Sequence, residues 1–289
     1  MKGDAPACAV HTPASLDEAL AFLAGHPDWR PLAGGTDLMV PFAAGRLPDV
    51  NFLNLDPLDA LRGIEMTDSH LTLGALTTYS EIRWHEGIRA AFPNLVQSAW
   101  VTGARAIQNR GTIGGNLVNA SPAADTPPSL LAYGAEVELR SASGARWVDY
   151  DAFHQGYKRT ALRPGELLTR VRVARPAPGA FHFYRKVGTR QAQAIAKVCL
   201  AAHGRLEGGR VAEFRAAFGA VAPVPKRAHE AESQVQGRAP GDVDLEAARA
   251  ALARDIAPID DLRSSARYRR FVSERLFLAM LKDFLAHVG

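Results

Sequence analysis

An α+β chain, with two unequal lobes and then a further domain, is predicted by three features of this 289-residue sequence. Short apolar runs of strand type alternate with helical stretches through the first 175 residues. A proline-rich break, Arg175-Pro176-Ala177-Pro178-Gly179, then interrupts the pattern. Beyond it, three alternating runs precede a helical tail, the order expected of an antiparallel meander packed on helices. The boundaries read this way are 1–57 for a small α/β lobe, 58–175 for a larger α+β lobe and 180–289 for a C-terminal domain with a three-stranded sheet.

Each element has a local reason. Ser15-Leu16-Asp17-Glu18 has the form of a capping box, and Leu16, Ala19, Leu20 and Leu23 then share one helical face. Pro27 ends that helix, and Arg30-Pro31-Leu32 reads as a strand feeding a glycine turn. Leu38 to Ala44 reads as a short helix, and Asn51 to Leu55 as a strand. Thr67-Asp68-Ser69 is a hairpin turn inside Ile64–Leu76. Thr78 to Glu81 caps the next helix, and Leu95 to Ala104 is helical. Asp125 is placed as N-cap of a helix with prolines in its first turn. Ala135–Leu139, Arg146–Val148 and Leu167–Val173 are strands. The meander is Phe181–Lys186, Ala194–Leu206 and Val211–Val221, with helix from Lys226 onward. The last helix, about Arg267 to His287, carries Phe271, Leu278, Leu281 and Leu285 as its apolar stripe.

Composition narrows the function classes. A formal charge of +4 is spread among acids without a basic block, which argues against nucleic acid. Cys8 and Cys199 are too few for an iron–sulfur cluster, which takes about four thiolates, and for a disulfide framework. Met1 to Pro6 lacks a signal-peptide core and no stretch reaches membrane-spanning length, so the expected location is the cytoplasm. The histidines lack metal-ligand spacing, and His11, His154 and His182 are read as structural or exposed.

The candidate site lies in two diglycine turns. Leu32-Ala33-Gly34-Gly35-Thr36-Asp37-Leu38 and Thr112-Ile113-Gly114-Gly115-Asn116 each pair an apolar lead-in with Gly-Gly and polar residues. Glycines permit positive φ and close ligand approach, and backbone N–H groups in such turns form anion sites. Neither turn is a P-loop or a G-x-G-x-x-G fingerprint. Two such turns suggest one extended ligand with a diphosphate in its middle.

The set AGGTDL, TIGGN and the following NASPAAD resembles the FAD-binding medium subunit of the xanthine dehydrogenase/carbon monoxide dehydrogenase family of molybdenum hydroxylases. Glu166-Leu167-Leu168 and the run from Tyr184 to Val198 extend the likeness over essentially the whole chain. The resemblance implies a two-lobed FAD-binding domain of the PCMH (vanillyl-alcohol oxidase-like) type. It assigns Leu32 to Leu38 to the diphosphate and Thr112 to Asn116 to the flavin side of the cofactor. Val101, Asp125, a backbone group of Leu167 or Leu168, and Lys186 are further implied contacts, with Asn119 and Ser121 near the same pocket. Asp37 is expected to bond backbone donors or cap the short helix; Lys186 is either a solvated strand lysine or a cation near the ring. No histidine adjoins either turn, so FAD is expected to be non-covalent.

The resemblance also implies partners: a large molybdenum–pterin subunit and a small [2Fe–2S] subunit, in a dimer of heterotrimers. The chain would pass electrons from the clusters to NAD⁺, oxygen or a quinone, with no catalytic acid or base of its own. Two competitors are a stand-alone reductase of the UDP-N-acetylenolpyruvylglucosamine reductase kind and a non-enzymatic module that kept the fold.

Overall fold

A computed structural model describes residues 8–47, 51–190 and 193–288, so the signal-peptide reading of Met1 to Pro6 lies outside the described residues. The first unit is a parallel three-stranded sheet in the order Val10–His11, Phe52–Asn54, Arg30–Leu32. The Leu16–Gly25 helix closes it, burying Leu16, Ala19, Leu20 and Leu23 as the spacing predicted. Ser15 caps this helix by accepting from the Glu18 N–H, while the Glu18 carboxylate reaches one residue further, to the Ala14 N–H. The Val10–His11 strand was not anticipated; two residues offer no periodicity to read.

A five-stranded antiparallel sheet follows, in the order Ile64–Met66, His70–Gly74, Leu167–Ala174, Glu136–Ser141, Gly144–Asp149. Helices cover one face around a core that includes Leu71, Leu73, Phe92, Leu95, Ile113 and Leu117. Thr78 and Glu81 form a complete capping box on the Tyr79–Trp84 helix. The helix expected over Leu95–Ala104 is instead Pro93–Val101, followed by a separate turn, Arg105–Gln108. Gly103 separates them at φ 58°, a conformation that glycine adopts without penalty.

The C-terminal sheet has four antiparallel strands, not three: Phe181–Val187, Val198–Glu207, Arg210–Gly219 and Lys226–Arg227. The fourth was read as helix because two residues carry no alternation; the helix begins at His229. Ala194 to Lys197 lies outside the second strand. The terminal helix spans Ala266–Val288, and its buried stripe is Phe277, Met280, Leu281 and Phe284. Leu281 is buried as expected, but Phe271 is exposed and Leu278 and Leu285 are only half-buried, their places taken by Phe277, Met280 and Phe284. Gly204 lets the Phe284 ring approach the sheet closely, since a Cβ there would meet it at 2.7 Å. Among the described residues, no helix is long and apolar enough to cross a membrane.

Candidate functional site

The two diglycine turns touch. A Cβ on Gly34 would lie 1.7 Å from the Arg110 carbonyl oxygen, so the backbones meet with no room for a side chain. A Cβ on Gly111 would sit 3.4 Å from Thr36 Oγ1, and one on Gly115 would sit 3.9 Å from Ala33 Cβ. Residues 33–36 therefore lie directly on residues 110–115. Gly34 is required by this packing and Gly35 by its φ of 71°.

The turns differ in what they offer a ligand. The N–H groups of Gly34, Gly35, Thr36 and Asp37 donate to no acceptor among the described residues. Successive free donors of this kind are what a backbone anion site requires. In the second turn the donors are already used. Ile113 N–H donates to the Thr77 carbonyl, Gly114 N–H to that of Ala75, Asn116 N–H to that of Thr112, and Gly115 N–H to Thr112 Oγ1. The expectation of free N–H groups there fails because Thr112 caps the Ile113–Val118 helix and the first two N–H groups pair with the Thr77 and Ala75 carbonyls. Gly114 faces Ala75, whose Cβ would be 2.7 Å from its own, so its close approach is to protein. Asn116 does keep a buried side-chain Oδ1 without a partner among the described residues. Asp37 is exposed and does not cap the Met39–Ala43 helix, which has no side-chain cap. Leu32 ends its strand, its carbonyl accepting from the Leu55 N–H, and Leu38 precedes the helix.

A second cluster joins Val101, Asp125 and Lys186. Lys186 Nζ lies 2.7 Å from Asp125 Oδ2 and donates to the Val101 carbonyl at 3.1 Å. Both side chains are about nine-tenths buried, so Lys186 is not a solvated strand lysine. Asp125 Oδ1 is buried and without a partner among the described residues. Burial pushes the Asp125 carboxyl up to about 6, against the opposing pull of the Lys186 ammonium and its hydrogen bond. Asp125 is not the helix cap: Thr126 precedes the Pro127–Ala132 helix and no side chain caps it. The carboxylate is drawn instead to a cation 61 residues further along the chain.

Three residues missed by sequence reasoning support this pair. The Tyr184 hydroxyl donates to the Asp125 carbonyl at 3.1 Å, and buried Cys199 packs behind it. Buried Tyr79 lies beneath the second turn, its ring 3.4 Å from where a Gly111 Cβ would be, and feels the Asp125 charge. Tyr79 thus links the turns to the ion pair; no local pattern marks any of the three. Leu167 shares a buried cluster with Ala33, whereas Leu168 points into the core of the five-stranded sheet. His154 is structural, its Nε2 bonded to the Leu117 carbonyl at 2.8 Å, and His182 packs against Tyr133 and His203.

A run of free N–H donors suits a diphosphate; the unpartnered Asn116 oxygen, and that of Asp125 beside a buried cation, suit a polar ring. Together these are the chemical requirements of an extended nucleotide cofactor. The chain belongs to the family described as the FAD binding domain in molybdopterin dehydrogenase, matched over residues 6–176. Residues 182–284 match the CO dehydrogenase flavoprotein C-terminal domain. It is 31% identical over 284 residues to the xanthine dehydrogenase FAD-binding subunit of Escherichia coli O157:H7, covering 96% of each chain. It is 34% identical to the glyceraldehyde dehydrogenase medium chain of Sulfolobus acidocaldarius, covering 93% of this chain and 95% of that one. A carbon monoxide dehydrogenase from Hydrogenophaga pseudoflava lacking the Mo-pyranopterin moiety superposes at a TM-score of 0.93. That match, at 28% identity, covers 99% of this chain and 100% of the other. The protein is an FAD subunit of the xanthine/CO dehydrogenase type of molybdenum hydroxylase, an oxidoreductase chain.

Proposed function

We propose that this chain carries electrons through FAD within a heterotrimeric molybdenum hydroxylase, receiving them from [2Fe–2S] clusters on a small partner and delivering them to a soluble or membrane acceptor. A large partner would hold the molybdenum–pterin centre, and two such trimers would pair, in the cytoplasm. The observation that carries the reading is the row of free N–H groups at Gly34 to Asp37, seated on the second diglycine turn.

FAD, when bound, supplies reversible one- and two-electron chemistry. Ala33 to Asp37 would hold its diphosphate, with Leu32 and Leu38 flanking. Thr112, Ile113, Gly114, Gly115 and Asn116 would line the flavin side, with Val101 and a backbone group of Leu167 or Leu168 against the ring. Lys186 and Asp125 would meet its polar edge, where a buried cation favours an anionic reduced ring. The segments 1–57, 58–175 and 180–289 would act as two cofactor lobes and a partner-facing domain.

The test is affinity purification of the tagged chain from its native host, with metal analysis and acid precipitation. Molybdenum, iron and FAD should co-purify, with all flavin released to the supernatant. Substrate turnover by the isolated chain alone would instead favour a stand-alone reductase, and a colourless chain that takes up no FAD would favour a non-enzymatic module.

A further inference from the structure

Behind the ion pair lie buried oxygens that bond to no other residue. Asp125 Oδ1, Thr126 Oγ1, Tyr79 OH and Tyr150 OH are each shut off from solvent, and none has a hydrogen-bond partner among the described residues. All four residues are buried. Buried polar atoms are nearly always paired, because an orphan forfeits its bonds to water. Packing alone does not account for them, since valine at 126 and phenylalanine at 79 and 150 would fill the same space.

The four follow one another through the core. Thr126 is next to Asp125 in the chain. Its hydroxyl is near enough to Tyr79 to favour the ionised phenol, although the two form no direct bond, and Tyr79 also feels the Asp125 charge. Tyr150 feels the charge of Tyr79 and shares its apolar cluster. At the far end Tyr150, whose N–H donates to the Ala135 carbonyl at 2.9 Å, helps to wall a pocket of about 80 Å³ with Asp149, Asp151, Arg215 and Arg227. Asp149 and Asp151 are exposed, so this pocket meets solvent. Exposed His229 stands at its edge, with Nε2 2.6 Å from Asp151 Oδ2. An imidazole exchanges protons with water near neutrality.

The chemistry of the row selects what it carries. Burial pushes both phenols well above their ordinary range, so neither holds a charge. A metal cation would find a single carboxylate, already bonded to Lys186. A hydroxyl donates and accepts at once, so a neutral row of them can pass a proton along.

We infer that these hydroxyls form a proton route between Asp125 and the surface pocket. The inference rests on the FAD reading above, which puts Asp125 at the edge of a cofactor whose redox chemistry binds and releases protons. A proton on Asp125 passes to Thr126 Oγ1, which gives its own to Tyr79. Tyr79 gives its proton to Tyr150, and Tyr150 gives one to water beside Asp151 and His229. Each hydroxyl ends with one proton, the net change is one proton moved from carboxyl to solvent, and the reverse order reloads Asp125. Water spans any gap too long for a direct bond.

Hydrogen–deuterium exchange of the Asp125 carboxyl, followed by stopped-flow infrared spectroscopy on the flavin-loaded protein, tests this. It is run about one unit below the Asp125 pKa of about 6, where the group carries a proton, and Asp125→Asn identifies its carbonyl band. Tyr79→Phe and Tyr150→Phe should each slow the exchange at least tenfold. Neither breaks a bond to another residue, so both should keep the wild-type thermal midpoint and flavin absorbance. Thr126→Val should slow exchange likewise, and Thr126→Ser, which keeps the hydroxyl, should restore it. Wild-type exchange rates in both phenylalanine variants would overturn the route, for Asp125 would then reach water through the cofactor cleft. Equal slowing in Thr126→Ser and Thr126→Val would also overturn it, since the hydroxyl would be idle. Wild-type protein without flavin absorbance would instead overturn the FAD reading, a result read separately from the exchange rate.

Discussion

A methyl group on Gly34 would fall inside the Arg110 carbonyl, whereas one on Gly115 would meet chiefly Thr112 Oγ1, at 2.9 Å. The two glycines look alike in sequence and differ in physics. Gly34→Ala should force the lobes apart, at about 3 kcal/mol in urea unfolding, the upper range for overpacking. Gly115→Ala should cost about 1 kcal/mol, the worth of the Thr112 cap it disturbs, and should keep the fold. Equal losses would mean that the turns do not pack backbone to backbone. Asp125 gives a second prediction. Its folded pKa of about 6 lies above the ordinary 3.8, so folding strengthens proton binding and the contribution to stability falls as pH rises through that window. Lys186 is what holds the value down, so Lys186→Met should move the Asp125 midpoint above 6 in a carboxyl NMR titration. A midpoint that stays or falls would show that the ion pair is not formed. The diglycine pair, Asp125 and Lys186 were all legible as candidates. What each touches was not, because a glycine's neighbour or a lysine's counter-ion is set by segments far along the chain.

Helix starts were the most legible elements, since a cap is a contact between residues two or three apart. Ser15 and Thr78 both cap as their spacing implies. Asp125 satisfied the same local rule and failed, because an ammonium at 2.7 Å outcompetes a cap. Two-residue strands were invisible, and the terminal helix's stripe was displaced because Phe271 is apolar yet faces solvent. On the second turn, Thr112→Ala should remove the bond that the Gly115 N–H donates to Thr112 Oγ1 and cost about 1 kcal/mol. That loss should appear as faster amide exchange at Gly115, while exchange at Gly114, bonded to the Ala75 carbonyl, stays slow. Equal acceleration at both would show that the cap holds the whole helix start.

Across the whole molecule, the five-stranded unit and the C-terminal sheet are joined by polar contacts. Asn94 Nδ2 donates to the Ala202 carbonyl at 2.9 Å, and the Tyr133 hydroxyl pairs with His182 Nδ1 at 3.0 Å. Burial, with His203 and His287 nearby, lowers His182 to about 4. Its depressed pKa means the folded state disfavours the proton, so stability is fully present above the ordinary 6.5 and is lost as pH falls towards 4. His182→Gln should therefore flatten the fall of thermal stability across that window, as followed by calorimetry. An unchanged slope would assign the acid sensitivity elsewhere. The fold class and the order of units could be read from periodicity and the proline-rich break, but this seam could not, for its two contacts pair residues 108 and 49 positions apart.

The Lys186–Asp125 bond has a consequence for biosynthesis. A nascent polypeptide emerging from the ribosome completes both diglycine bends well before residue 186 is translated. Until then the Asp125 carboxylate has no counter-ion. On the proposed placement of Lys186 at the flavin ring, the coenzyme's seat is complete only once that later strand has been made.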